Sequence, residues 1–315
     1  MIQKSKINLA VVIYGDKNQL PVNNQQFLDL KKILKSFNLS KYNFKQRDQL
    51  VKDFRKGNIN LVLKNSYGRG NENDIEKFLE KNKIPFMGSN SKVTLTGTSK
   101  YLSKKVFRKN KISVVDDIYV NKKRWAKSKK RVLNQIEKNI NYPCIIKDTG
   151  GTDSRGLYFV QNEKQAIKAI QRILNRKRDI IIEKFIKADY EVTCMVIGNS
   201  KPIAYEPVGM GNNDIGALLS GSKKDKMQFK VEVPTTITPK LRKKVKQLSV
   251  KAHKSLNCST FSRADILIKD NKLYLLEVDV HPGFRSNSAT FLSAKYQKET
   301  PDKLFKKLYK LVTSK

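Results

Sequence analysis

Residues 263–283 read Arg-Ala-Asp-Ile-Leu-Ile-Lys-Asp-Asn-Lys-Leu-Tyr-Leu-Leu-Glu-Val-Asp-Val-His-Pro-Gly. Two apolar runs, 264–269 and 272–278, flank Asp270-Asn271, which predicts paired strands joined by a tight turn. Side chains alternate along a strand, so Glu277 and Asp279 share one face and Asp265 lies on the partner strand. Three carboxylates converging among apolar neighbours repel one another unless a cation sits between them. Hard oxygen ligands of this kind suit magnesium that also holds substrate phosphates. The competing interpretation is a solvated hairpin face, for which Leu273-Tyr274-Leu275-Leu276 leaves little room.

A second candidate site lies upstream. Lys147 ends a short strand, Pro143-Cys144-Ile145-Ile146-Lys147, and is followed by Asp148-Thr149-Gly150-Gly151-Thr152-Asp153-Ser154-Arg155-Gly156. Small residues let backbone N–H groups approach phosphate oxygens, and a lysine supplies a point charge. Taken alone, such a segment is equally an ordinary loop between strands. It is not a Walker loop, because no Gly-Lys-Ser/Thr follows.

Around these two segments the chain alternates strand and helix patterns. Residues 7–14, Ile-Asn-Leu-Ala-Val-Val-Ile-Tyr, form a near-continuous apolar run of the kind that fills a parallel sheet covered on both faces. A helix over 25–36, a strand over 60–63, a helix bearing Ile75, Phe78 and Leu79, and Ile84-Pro85-Phe86 complete an α/β unit to about residue 88. Helices are predicted over 98–110, 127–139, 163–174, 239–255 and 303–312, and strands over 157–160 and 180–186.

Composition narrows the function classes. The 315 residues carry 65 Lys+Arg against 28 Asp+Glu, a formal charge of +37, yet 39% are hydrophobic. That much apolar content supports a folded core, and length alone suggests two or three domains. Thirteen of the 65 basic residues are Arg and 52 are Lys, spread along the whole chain. Base readout and bidentate phosphate grip favour Arg, so nucleic-acid binding beyond non-specific charge attraction is not expected. No apolar run reaches membrane-spanning length, and the polar start of the chain does not resemble a secretory leader. Cys144, Cys194 and Cys258 are far apart, which disfavours a disulfide framework and fits a reducing, cytoplasmic setting. With only His253 and His281 present, a multi-histidine metal site is excluded.

Several spaced motifs, in order, resemble the ATP-grasp ligases, and within them the D-alanine–D-alanine ligase family. Gly88-Ser89 followed by Lys100 resembles the stretch ending in the family's first ATP lysine. Tyr142 to Lys147 resembles the strand with the second, and Asp153-Ser154-Arg155-Gly156 its phosphate lid. Ile182-Glu183-Lys184-Phe185-Ile186 resembles the strand that meets adenine, and Glu191 falls where a ribose-binding glutamate sits. Leu276-Glu277-Val278-Asp279-Val280-His281-Pro282-Gly283 is similar to Glu-x-Asn-x-x-Pro-Gly.

The resemblance implies an α/β fold, with α+β organisation in the ATP-binding part, as a three-domain ATP-grasp architecture. The N-terminal parallel-sheet (pre-ATP-grasp) domain would span 1–88, a central domain with the lid 89–179, and a C-terminal domain with the magnesium site 180–315. It implies an ATP-dependent carboxylate–amine ligase that forms an amide through an acyl phosphate. ATP would be held by Lys100, Lys147, Glu183, Lys184, Phe185, Ile186 and Glu191. Mg2+, for which Mn2+ can substitute, would be held by Asp265, Glu277 and Asp279. Arg263, Ser154 and Gly283 would serve catalysis, and Ser288 the acceptor substrate. Implied partners are ATP and small amino-acid or carboxylate substrates, with no membrane and with a homodimer left open. A non-catalytic protein binding ATP or polyanions on the same frame is the alternative, against which Arg263 and the three carboxylates count.

The departures cluster in the donor half. Where the family has a glutamate and serine that anchor the donor's amino group, this chain has Pro21 and Asn23. Its His-Gly reads Ser66-Tyr67, its Gly-Glu-Asp reads Gly70-Asn71-Glu72, and its Lys-Tyr loop is matched only by Ala217-Leu218-Leu219-Ser220. Asp279 replaces an asparagine, and Asp153 stands for the lid's first serine.

Overall fold

The fold was analysed in a computed structural model that describes residues 6–14, 20–65, 73–150, 156–210, 231–232, 237–286 and 288–314. Three sheets organise the chain. The first is parallel, with strand order β2-β1-β3-β4 and strands β1 (Ile7–Ile13), β2 (Phe37–Asn43), β3 (Leu61–Lys64) and β4 (Phe86–Met87). The apolar run at residues 7–14 explains β1, whose last five residues are buried between β2 and β3. Strand β2 was not expected, because only Phe37 of its seven residues is fully buried.

The second sheet is antiparallel, in the order β5-β8-β6-β7. It contains β5 (Asp117–Val120), β6 (Cys144–Asp148), β7 (Leu157–Val160) and β8 (Ile180–Lys184). Helices Lys122–Gln135 and Glu163–Leu174 share one core with this sheet through Val132, Ile136, Ala166 and Ile170.

The third sheet runs β12-β11-β9-β13-β14, with β10 beside β9. Its strands are β9 (Tyr190–Ile197), β10 (Ile203–Ala204), β11 (Val208–Met210), β12 (Val231–Glu232), β13 (Phe261–Lys269) and β14 (Lys272–Asp279). The turn between β13 and β14 is as expected: Asp270 and Asn271 hold φ of 50° and 59°, the two consecutive positive values of a tight hairpin turn. Helix Pro239–Ser255 covers the sheet with Leu241, Val245 and Ala252.

The chain ends return to one another. Leu304, Phe305 and Leu308 of helix Pro301–Thr313 share a core with Leu9, Val11 and Phe37 of the first sheet and Ile197 and Phe261 of the third. Asp302 accepts hydrogen bonds from Ser36 N (2.9 Å) and Ser36 Oγ (2.7 Å), a polar clasp at the same seam. Among the described residues no helix is long and apolar enough to cross a membrane. All three cysteines are buried and unbridged.

Helix Ser91–Thr98 lies against the end of β14. A Cβ added at Gly97 would sit 2.5 Å from Val280 Cγ1, and Val280 is itself buried. Gly97→Ala would gain about 1 kcal/mol of helix propensity, but overpacking a fixed neighbour costs about 1–3 kcal/mol. A net loss of stability in urea unfolding is expected, and a gain would contradict this packing.

His253 is fully buried in helix Pro239–Ser255, with Nδ1 2.8 Å from Ser262 Oγ and Nε2 3.2 Å from Gly198 O. Burial pushes its pKa down to about 4, against backbone hydrogen bonds that pull the other way. The unfolded chain therefore takes up this proton first, at a pKa of about 6.5. Stability present above pH 6.5 is lost as pH falls toward 4, by about 3 kcal/mol in all. Urea midpoints at pH 7 and pH 5 should differ in that direction, and His253→Gln should flatten the difference.

Candidate active site

Strand register builds the site. Asp265 on β13 pairs with Glu277 on β14, and Arg263 pairs with Asp279. On the other side of β13, Asp265 pairs with Thr193 of β9. Residues two apart on a strand share a face, so Glu191, Thr193, Arg263, Asp265, Glu277 and Asp279 project from one side of the sheet. The expected convergence of the carboxylates is present, with the chain's own cations between them. Arg263 grips Asp265 with a fork, Nε to Oδ1 at 3.0 Å and one terminal nitrogen to Oδ2 at 3.1 Å, and reaches Asp279 Oδ2 at 3.6 Å. Thr193 Oγ1 donates to Asp265 Oδ1 at 2.6 Å. Lys100 Nζ lies 2.8 Å from Glu277 Oε2.

Lys100 owes its place to two caps. Ser99 ends helix Ser91–Thr98 and caps helix Lys100–Lys109, and Lys100 N donates to Thr149 O at 2.8 Å. The first lysine is thereby pinned to the loop that follows the second. Lys147 Nζ lies 2.7 Å from Glu183 Oε2. Burial opposes ionisation of Glu183, but Lys147 and Lys104 outweigh it and hold the carboxyl down at about 2.

Lys104 was missed in the sequence. It is fully buried, and its ammonium meets Glu183 Oε1 at 2.6 Å, Val115 O at 3.1 Å and Asp117 Oδ2 at 3.5 Å. Those three acceptors match its three N–H donors, and Asp117 also bonds Arg108. Lys104 lies four residues after Lys100, hence on the same helical face. That spacing was the available signal. Glu183, grouped in the sequence with a nucleotide-facing strand, thus turns its side chain inward to hold two lysines. Of its neighbours, Lys184 uses its backbone N–H on Asp116 O (3.0 Å), and Phe185 packs edge-on against Phe159 with ring centroids 5.0 Å apart.

The carboxylates titrate apart. Burial pushes Glu191 up to about 7, and the neighbouring charges of Asp265 and Glu277 add to the shift. Burial also raises Asp279, against the pull of Arg263. Glu277 is depressed, since Lys100 and Lys147 overcome its burial. Among the described residues no three His, Cys, Asp or Glu side chains are already gathered as a metal cage. The donor set nevertheless fits a hard divalent cation. Asp265, Glu277 and Asp279 offer oxygen ligands from adjacent register positions on one face, beside the two lysines.

Gly283 lies in the segment after β14, and Ser288 caps helix Ala289–Tyr296 by accepting from Phe291 N at 3.4 Å. Pro21 lies in the first turn of helix Leu20–Ile33. Asn23 is buried and donates to Tyr14 O at 2.9 Å, a structural bond. Ser154, Asp153, Arg155, Ser66 to Glu72 and Ala217 to Ser220 fall outside the described residues. His253 and Cys258 are both buried.

A family model described as D-ala D-ala ligase C-terminus matches residues 106–310, and the chain belongs to that family, whose members have the ATP-grasp fold. Among curated relatives, the D-alanine–D-alanine ligase of Desulforamulus reducens is 26% identical over 268 residues, covering 83% of this chain and 84% of its own. D-alanine–D-alanine ligase A of Bacillus cereus is 27% identical over 229 residues, covering 72% and 71%. The solved structure of the Bacillus anthracis D-alanine–D-alanine ligase complexed with ATP superposes with a TM-score of 0.79 at 21% identity over 98% of both chains. The D-Ala:D-Ser ligase of Enterococcus faecalis gives 0.80 at 19% identity, over 98% of this chain and all of that one.

Proposed function

We propose that this chain is an ATP-dependent carboxylate–amine ligase. A donor carboxylate takes the γ-phosphoryl group of ATP to give an acyl phosphate and ADP, and an amine then displaces phosphate to form an amide. Family membership supports the reaction class. The observation that carries it here is Lys100 and Arg263 set against three carboxylates on one face, with Lys147, held by Glu183, near enough to help depress Glu277. A pure binding module has no need of that arrangement.

Phosphoryl transfer asks for positioning and charge neutralisation more than for covalent chemistry. Lys147 and Lys100 would hold phosphate oxygens, with Glu183 and Lys104 fixing Lys147 from behind. Arg263 would stabilise negative charge on the acyl phosphate and on the tetrahedral species formed by amine attack, since its planar fork fits such oxygens. Lys184, Phe185 and Ile186 would contact adenine, and Glu191 the ribose hydroxyls. Gly283 would line the reacting centre, and Ser288 would meet the acceptor. Asp265, Glu277 and Asp279 would hold Mg2+, whose charge would offset that of the phosphates. Before substrates arrive, Arg263 and Lys100 pair with those carboxylates and offset part of their charge.

The donor is where this chain departs from its relatives. Pro21 has neither charge nor a free N–H, and Asn23 is committed to Tyr14. Losing a charge-assisted bond to a donor ammonium costs about 1.5–3 kcal/mol, or roughly one to two decades in affinity. We therefore favour a donor without a free α-amino group over a shifted anchor at Asp16 or Glu72. ADP release with Mg·ATP and a panel of carboxylates and amines tests both points. Efficient D-alanine self-condensation would overturn the donor assignment, and its loss in Asp16→Asn or Glu72→Gln would point to the shifted anchor instead. ADP release with no donor in the panel would overturn the ligase itself.

A further inference from the structure

Behind the carboxylates lies a buried charge cluster that the chemistry above does not use. Glu76, in helix Asp74–Lys81, has no exposed surface. Its Oε1 lies 2.8 Å from Lys64 Nζ, at the end of β3, and 2.8 Å from Nε2 of His281. Nε2 is also 2.9 Å from Thr94 Oγ1, whose hydroxyl can donate to Ser89 O at 3.4 Å. A carboxylate oxygen only accepts, so Nε2 carries the ring proton, directed at Glu76 and Thr94. The third side of the ring is closed by Gly88. That residue has φ +117°, and an added Cβ would lie 2.9 Å from His281 Cε1.

Two features separate this cluster from ordinary packing. Among the described residues, Glu76 Oε2 is buried with no hydrogen-bond partner. A buried side-chain oxygen left without a partner is uncommon in a folded chain. In addition, the backbone N–H of His281 donates to Asp279 Oδ1 at 2.9 Å. The histidine therefore joins two things: its ring is boxed by residues from the first third of the chain, and its backbone holds a carboxylate of the metal set.

We propose that His281, clamped by Glu76 and Thr94, is a positioning residue that fixes the Asp279 carboxylate in the orientation the divalent cation requires. Helices Asp74–Lys81 and Ser91–Thr98 thus set metal affinity from outside the site. The proposal rests on Asp279 being a metal ligand.

The test uses Mn2+ as probe, with free Mn2+ read by electron paramagnetic resonance in the presence of the full-length chain and a non-hydrolysable ATP analogue. Partners that orient metal ligands are typically worth 10–100-fold in metal affinity. His281→Ala should therefore weaken Mn2+ binding by about tenfold or more, and Glu76→Gln should weaken it in the same direction. His281→Gln, whose side-chain amide can place an N–H near the position of Nε2–H, should restore most of the affinity. Melting temperatures are recorded alongside, because a merely structural role would lower them without moving the Mn2+ dissociation constant. If Asp279→Asn weakens binding but His281→Ala does not, the positioning role is wrong while the metal site stands. If Asp279→Asn itself leaves binding unchanged, the metal assignment fails and takes the proposal with it.

Discussion

Glu277→Gln is expected to cut ADP release by about 10²–10³-fold or more, the scale at which losing one fixed electrostatic stabiliser of a transition state shows. Glutamine keeps the shape and one oxygen but removes the charge that balances Lys100 and would bind the cation. The fold should survive. The Lys100–Glu277 pair is half-buried, with 12% and 34% of the two side chains accessible, and glutamine still offers Lys100 an oxygen, so no unpaired acceptor is left inside. The variant should therefore melt close to the parent while turning over almost nothing. Near-parental ADP release at saturating substrates would remove Glu277 from the site.

Lys104→Met should act in the opposite sense, mainly on stability. Methionine fills a similar volume, so the cavity is small. What remains is Glu183 in the core with one oxygen facing no cation, and Asp117 left to Arg108. Removing one partner of a buried pair costs up to about 3–5 kcal/mol, here reduced because Lys147 still meets the other Glu183 oxygen. The central sheet should show this as an early urea transition. Adding Glu183→Met removes the half-compensated carboxylate but also takes it from Lys147, so any recovery should be partial and the two changes strongly non-additive. A loss below about 1 kcal/mol for Lys104→Met would mean that the pair is screened by water.

These two sites differ in how far the sequence discloses them. Glu277, Asp279 and Asp265 were legible because strand alternation and the Asp270-Asn271 turn fix which side chains share a face. Lys147 was legible because it ends an apolar strand before small residues. Lys104 was not, since a lysine in a basic helix is by default solvated, and only the tertiary approach of β8 shows that its face is buried. Strand β2 escaped for a similar reason: Phe37-Asn38-Leu39-Ser40-Lys41-Tyr42-Asn43 is an edge strand, and its polar face hides the alternation. Helix Lys122–Gln135 begins five residues before the expected 127, and a non-helical Ser128 breaks the apolar periodicity there. Helix Pro239–Ser255 has the bounds expected, because Thr238 and Pro239 mark its start in local chemistry alone.

The central claim is that a carboxylate is activated by phosphorylation and then captured by an amine. An acyl phosphate places one donor oxygen between carbon and phosphorus, and amine attack at carbon releases that oxygen with phosphate. With a donor that supports ADP release, labelled with 18O in both carboxylate oxygens, mass spectrometry of the phosphate formed tests this most directly. One 18O per phosphate, in step with one amide per ADP, is the predicted result; phosphate carrying no donor oxygen would contradict the account.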